Sequence, residues 1–324
     1  MRRESLLTLG FFICLIGAAC SDNSAANVGT QTVAGAGAAA AAGAGAPGDG
    51  EAGLAGAYLA GAGIGVSDLE KSQEFYVTVL GMALRYELPV PGYANERILY
   101  YKDSKGSDVV LMNFIDGQQH NYLNNPAKLV FYVPSATTVI EAIRARGLAI
   151  VSEPTPQAAF NNVVIGFARD PDGYILEIIE QPSLTVPYLG AIGLGVSDLD
   201  KAKDFYTRVL GMVPMGGLLV VPGIWDEWIL QHPSGMGSAL VLMKFTDGMP
   251  RNYTNNPLKT AYFLADAAAV SGRVQREGLP ILTPPTVFDV LGTKALISLV
   301  KDPDGYTVEL VTTPAPATAA TTAP

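Results

Sequence analysis

The chain has 324 residues, 49% of them apolar, and a formal net charge of −9 from 21 basic and 30 acidic side chains. An acidic chain with no basic run beyond Arg2-Arg3 is not built to hold nucleic acid or an anionic membrane surface. Its two cysteines, Cys14 and Cys20, offer no disulfide framework, so stability must come from core burial, which this length allows.

In chain order, Arg2-Arg3, the apolar run Leu6 to Ile16 and the small residues Gly17-Ala18-Ala19 before Cys20 predict a signal peptide over residues 1–20. The run is too short to span a bilayer. A Cys behind small residues resembles a bacterial lipoprotein signal, in which Cys20 becomes the lipidated first residue. Ordinary cleavage leaving Cys20 unmodified is the alternative. The expected location is the periplasm or cell envelope. Residues 21–57 are dominated by Ala and Gly and read as a disordered linker, and residues 313–324, built of Thr, Ala and Pro, as a disordered tail.

Between them the chain writes itself twice. Gly65-Val66-Ser67-Asp68-Leu69 returns as Gly195-Val196-Ser197-Asp198-Leu199, and Asp170-Pro171-Asp172-Gly173-Tyr174 as Asp302-Pro303-Asp304-Gly305-Tyr306. A period of about 130 residues is far beyond a solenoid unit, so a whole domain is duplicated. In the first half the pattern predicts a strand over 61–66, then a helix over 69–80, capped by Ser67-Asp68 and stopped by Gly81. Strands near 83–88, 97–102 and 108–114 follow. The plan then restarts with a strand over 128–133, a helix over 136–146 and strands near 149–152, 162–168 and 174–179. The second half repeats it, with strands near 191–196, 239–245, 259–264, 295–299 and 306–311. The expected fold is α+β, with four βαβββ modules. The Asn-Tyr-x-Asn-Asn-Pro segments Asn121–Pro126 and Asn252–Pro257 read as turns between modules.

These motifs, with Phe75-Tyr76, Val79-Leu80-Gly81-Met82, Glu177 and their partners Phe205-Tyr206, Leu210-Gly211-Met212 and Glu309, resemble the vicinal oxygen chelate superfamily. That group holds glyoxalase I, the bleomycin and fosfomycin resistance proteins and the extradiol dioxygenases. The resemblance implies two fused domains over residues 58–184 and 187–312, with paired modules forming clefts. Enzymes of the family hold a divalent metal there through His and Glu on the first and last strands of the modules. On that alignment the ligand positions carry Gly61, Leu111, Lys128 and Glu177 in the first half. In the second they carry Ala191, Leu242, Lys259 and Glu309. Each set keeps one carboxylate and no imidazole, and a Lys offers no lone pair while charged. No cofactor is expected, and a divalent metal would return only if its ligands lie elsewhere.

The resemblance also suggests a replacement. Strand alternation puts Lys128, Val130 and Tyr132 on one face and Ile175, Glu177 and Ile179 on another. An ammonium could therefore balance the carboxylate, with Lys259 and Glu309 repeating the arrangement. Strand-end lysines in solvent are the alternative. The four residues are the catalytic candidates. Gly61, Gly63, Leu111 and Tyr132, with Ala191, Gly193, Leu242 and Phe263, are the ligand-cleft candidates. The glycines leave room either for a broad ligand or for close packing of modules. Glu96 and Glu227 form another repeated carboxylate, each behind a Val-Pro-Gly turn, and Tyr93, Trp225 and Tyr262 are among the aromatics that could line a pocket.

The leading expectation is metal-independent binding of a small organic molecule by a monomeric pseudo-dimer, with membrane contact only through a lipid anchor. A lyase, isomerase or dioxygenase of the same family is the rival, and a partner-binding lipoprotein with vestigial clefts a third. Which modules pair is open.

Overall fold

A computed structural model describes residues 53–120, 122, 125–158, 161–253 and 256–313. The expected signal peptide, Cys20, most of the linker and nearly all of the tail lie outside the described residues. The first module is β1 (Tyr58–Gly65), α1 (Leu69–Thr78), β2 (Ala83–Val90), β3 (Ala94–Tyr100) and β4 (Asp108–Phe114). The second is β5 (Ala127–Val133), α2 (Ala136–Ala145), β6 (Ile150–Gln157), β7 (Val163–Arg169) and β8 (Ile175–Glu180). The third runs through β9 (Tyr188–Gly195), α3 (Leu199–Asp204), β10 (Val213–Pro214), β11 (Leu219–Val221), β12 (Trp225–Gln231) and β13 (Ala239–Phe245). The fourth is β14 (Leu258–Phe263), α4 (Ala267–Arg276), β15 (Ile281–Val290), β16 (Thr293–Lys301) and β17 (Thr307–Thr312).

The helices start where the sequence caps them, with Asp68 accepting from the Lys71 amide and Asp198 from the Lys201 amide. Gly81 and Gly211, at φ +74° and +70°, turn the chain out. The third module departs from the simple plan, because its helix passes into a π-helical turn over Phe205–Val209. Four strands of the second half, β10, β11, β12 and β15, escape the sequence pattern. In β12 Asp226 and Glu227 interrupt the apolar run, and in β15 Pro284-Pro285 does so.

The sheets settle the pairing of modules. One has the order β15-β16-β17-β14-β1-β4-β3-β2 and joins the fourth module to the first. The other, β10-β12-β13-β9-β5-β8-β7-β6, joins the third to the second. Each sheet is therefore built from both halves of the chain. The seams are the antiparallel pairs β1/β14 and β5/β9, where Gly63 stands opposite Lys259 and Gly193 opposite Lys128.

The helix-covered faces of both sheets share one core, in which Phe75, Tyr76, Phe131, Tyr206 and Tyr262 are buried. The repeated Asp-Pro-Asp-Gly motif ties the modules of one half together. Asp172 Oδ1 accepts from the Ser67 amide at 2.8 Å, and Asp304 Oδ1 does the same for Ser197. The preceding carboxylates, Asp170 and Asp302, accept from the hydroxyls of Tyr76 and Tyr206, both at 2.8 Å. These repeated residues thus hold each half together, whereas each sheet forms between halves.

Candidate ligand-binding clefts

On the face of each sheet away from the helices, a lysine sits between two glutamates. Lys128 Nζ lies 3.1 Å from Glu177 Oε2 and 3.4 Å from Glu227 Oε2. Lys259 Nζ lies 2.8 Å from Glu96 Oε1 and 2.9 Å from Glu309 Oε2. Lys128–Glu177 and Lys259–Glu309 come together by parallel pairing of β5 with β8 and of β14 with β17. The third member comes across the seam, from β12 or β3. Glu96 and Glu227 are therefore members of the two trios, each supplied by the other half of the chain.

Burial sets the electrostatics. Glu177 and Glu96 are pushed above the usual carboxylate range by desolvation, against the pull of Lys128 and Lys259 and with the push of Glu227 and Glu309. Burial pulls the Lys259 ammonium down, but Glu309 and Glu96 outweigh it and hold the group above its ordinary value. An ammonium so held is a fixed cation rather than a nucleophile.

The glycines explain how the lysines fit. A Cβ on Gly193 would lie 2.4 Å from Lys128 Cγ, and one on Gly63 would lie 2.9 Å from Lys259 Cβ. Each lysine stem crosses the seam over a bare backbone, so of the two readings of the glycines close packing holds. Gly61 is looser, its nearest neighbour Ala261 Cβ at 3.5 Å.

Leu111 and Leu242 point the other way. The parallel register sets Leu111 beside Ile64 and Leu242 beside Leu194, and both leucines are buried in the helix-side core. Met112 and Met243, one residue on, take the cleft positions. Ala191 is buried on the cleft face of the second sheet, where Tyr132 stacks on Tyr188. Phe263 lies on the Lys259 face and stacks on Tyr58. Tyr262 belongs to the helix-side core.

The two clefts differ in bulk at equivalent places. The second holds Trp225, Val130, Phe167 and Ile175 where the first holds Ala94, Ala261, Leu299 and Thr307. The Trp225 indole donates to Glu227 Oε2 at 2.9 Å and lies 5.0 Å from the Lys128 ammonium. Glu177 and Glu227 have no exposure at all. The second cleft is filled by its own side chains. In the first, Glu309 keeps 19% of its side chain exposed. A cavity of about 300 Å³ opens there, walled by Tyr93, Phe114, Leu299, Lys301 and Thr307. Thr307 pairs with Lys259 and Leu299 with Glu309, so the cavity adjoins the open trio. Of the sequence candidates Tyr93 lines it, and none of the eight cleft candidates does.

The trios are a poor fit for a divalent ion. It would have to share two carboxylates with an ammonium already 2.8 and 2.9 Å from them, and the imidazole on the adjoining cavity wall, His120, is paired with Asp116. Among the described residues no three His, Cys, Asp or Glu side chains cluster as metal ligands.

Comparison with known proteins gives the architecture a context. The sequence profile of the Glyoxalase/Bleomycin resistance protein/Dioxygenase superfamily matches residues 58–178 and 188–310. A lactoylglutathione lyase of Arabidopsis thaliana is 30% identical over 149 residues, 45% of this chain and 52% of that one, so the match spans about half its length. A lactoylglutathione lyase of Oryza sativa subsp. japonica is 25% identical over 254 residues, 76% of this chain and 86% of that one. The crystal structure of glyoxalase I from Zea mays superposes with a TM-score of 0.65 at 24% identity, covering 79% of this chain and 92% of the other.

Proposed function

The chain belongs to the glyoxalase/bleomycin resistance protein/dioxygenase superfamily, and on that premise we propose that it binds a small organic molecule, without a divalent metal, in the cleft shared by its first and fourth modules. One observation carries the reading. Where the second cleft is plugged by Trp225, the equivalent Ala94 packs with Tyr93 and Phe114, which wall a cavity next to a partly exposed Lys–Glu trio. About 300 Å³ is at the lower end of small-ligand sites. The Lys259 ammonium supports the metal-free part, because it already balances the carboxylates a metal would need. In this reading the second cleft is structural.

Calorimetric titration of S-lactoylglutathione and a panel of unrelated organic acids into chelator-treated protein tests it. Saturable binding by the wild type, lost in Ala94→Trp, supports the proposal. Binding that appears only after Zn²⁺ or Ni²⁺ is added refutes it.

A second reading, a lyase, is favoured by the names of the two plant relatives and by the exposure of Glu309. Glu309 would then take and return a substrate proton while Lys259 balances the developing negative charge. Turnover by metal-free protein, abolished in Glu309→Gln, would select it. We also propose export with lipid on Cys20, supported by the signal-like first twenty residues. Loss of detergent-phase partitioning in Cys20→Ser is the expected result.

A further inference from the structure

One cation on the cavity wall has no anion in contact with it. Lys301, in β16, is half-buried, and its ammonium donates to Thr307 Oγ1 at 3.0 Å. No carboxylate among the described residues lies within ion-pair distance of it. Burial pulls its pKa below the ordinary lysine value, against the opposite pull of the Asp302 charge. The Asp302 carboxylate makes no ion pair with it and is engaged by Tyr206 and by the amides of Asp304 and Tyr306. A cation taken from water without an anion in contact is costly.

The other charges on the wall are self-contained. Asp116 accepts from the Gln118 amide and pairs with His120 Nε2 at 2.9 Å, and the His120 ring lies flat on Phe114 at 3.8 Å. That stack and the side chains of Tyr93, Leu282 and Leu299 give the cavity apolar walls. At the equivalent place in the other cleft the cation is exposed and engaged by the backbone. Arg169 stands where Lys301 does, is exposed, and donates to the Gly173 carbonyl.

We infer that the cavity takes an organic acid, its carboxylate on Lys301 and Thr307 and its apolar body against the Phe114–His120 stack. Thr307 Oγ1 accepts from Lys301 and keeps its own proton to donate, so two donors converge on the acid. The inference rests on the binding reading above and names its ligand class.

The test uses N-benzoylglycine and its methyl ester, titrated by calorimetry into the full chain and into Lys301→Gln and Lys301→Arg. The acid should bind the wild type at least about ten-fold more tightly than the ester, the usual worth of a charged hydrogen bond. That preference should vanish in Lys301→Gln and persist in Lys301→Arg. Equal affinity for acid and ester, or a preference that survives Lys301→Gln, overturns the assignment and leaves the binding cavity standing. No binding of any probe overturns both.

Discussion

Ser107 and Ser238 hold each other across the pseudo-two-fold axis that relates the halves. The Ser107 amide donates to Ser238 Oγ at 3.1 Å, and the Ser238 amide donates to Ser107 Oγ at 2.9 Å. Each hydroxyl then donates onward, Ser107 to the Leu59 carbonyl and Ser238 to the Leu189 carbonyl. Both serines are buried, and the exchange links the loops before β4 and β13 to the first strands of both halves.

Ser238→Ala removes the hydroxyl that serves the buried Ser107 amide and Leu189 carbonyl and should cost about 1–3 kcal/mol. Ser107→Ala should cost less, because the Ser238 amide also donates to the Leu59 carbonyl at 3.3 Å. The double change should cost less than the sum, since the two share partners. Urea unfolding of the four proteins closes this cycle, and strict additivity would show the exchange to be incidental.

Trp225→Ala should cost about 3–5 kcal/mol, from the cavity left behind and from Glu227 losing its indole donor. The same variant should admit organic ligands to the second cleft, read as a second calorimetric site. Unchanged stability would mean that the plug is not packed as described.

The repeat and the four modules were legible in the sequence because they rest on local pattern, and the two Lys–Glu pairs through the family resemblance, which sets both residues at ligand positions. Period-two alternation places Lys128 with Val130 and Tyr132 whatever the partner strand. What depends on pairing was not legible. Glu96 joins Lys259 only because the first module pairs with the fourth, and no local signal says so. Leu111 went to the wrong face because strand alternation reverses with a one-residue offset in register. The Trp225/Ala94 contrast lay in the aligned repeats, but its meaning needs to be seen against Glu227. Lys301 carried no motif.

The seam glycines make a graded prediction. Gly193→Ala places a methyl 2.4 Å from Lys128 Cγ and should destabilise by about 1–3 kcal/mol, whereas Gly61→Ala meets only an ordinary contact and should be nearly neutral. Equal effects at the two positions, measured by thermal unfolding, would sink the packing account.

His232 is buried with neither ring nitrogen hydrogen-bonded, at the position equivalent to Tyr101. Burial lowers its pKa from 6.5 to about 4. The unfolded chain therefore takes up a proton that the folded chain refuses, and this residue withdraws stability as pH falls from 6.5 to 4, by about 3 kcal/mol in full. Asp170 and Asp302 act oppositely. Burial raises both to about 7, so their contribution is fully present below 3.8 and is lost as pH rises through 7. His232→Phe removes only the first effect. Its gain in melting temperature over the wild type should be larger at pH 5 than at pH 8, and an equal gain at both would exclude a buried neutral ring.

The seams also constrain how the chain can be made. Gly61 finds its partner at Ala261, two hundred positions later, so β1 must wait as an unpaired edge while most of the chain is synthesised. An open edge invites pairing with the wrong strand, most of all when it is apolar and flat. This one runs Gly61-Ala62-Gly63-Ile64-Gly65, with little side chain for a stranger to grip. The bareness that later admits a lysine keeps the nascent strand from adhering to anything before the lysine arrives.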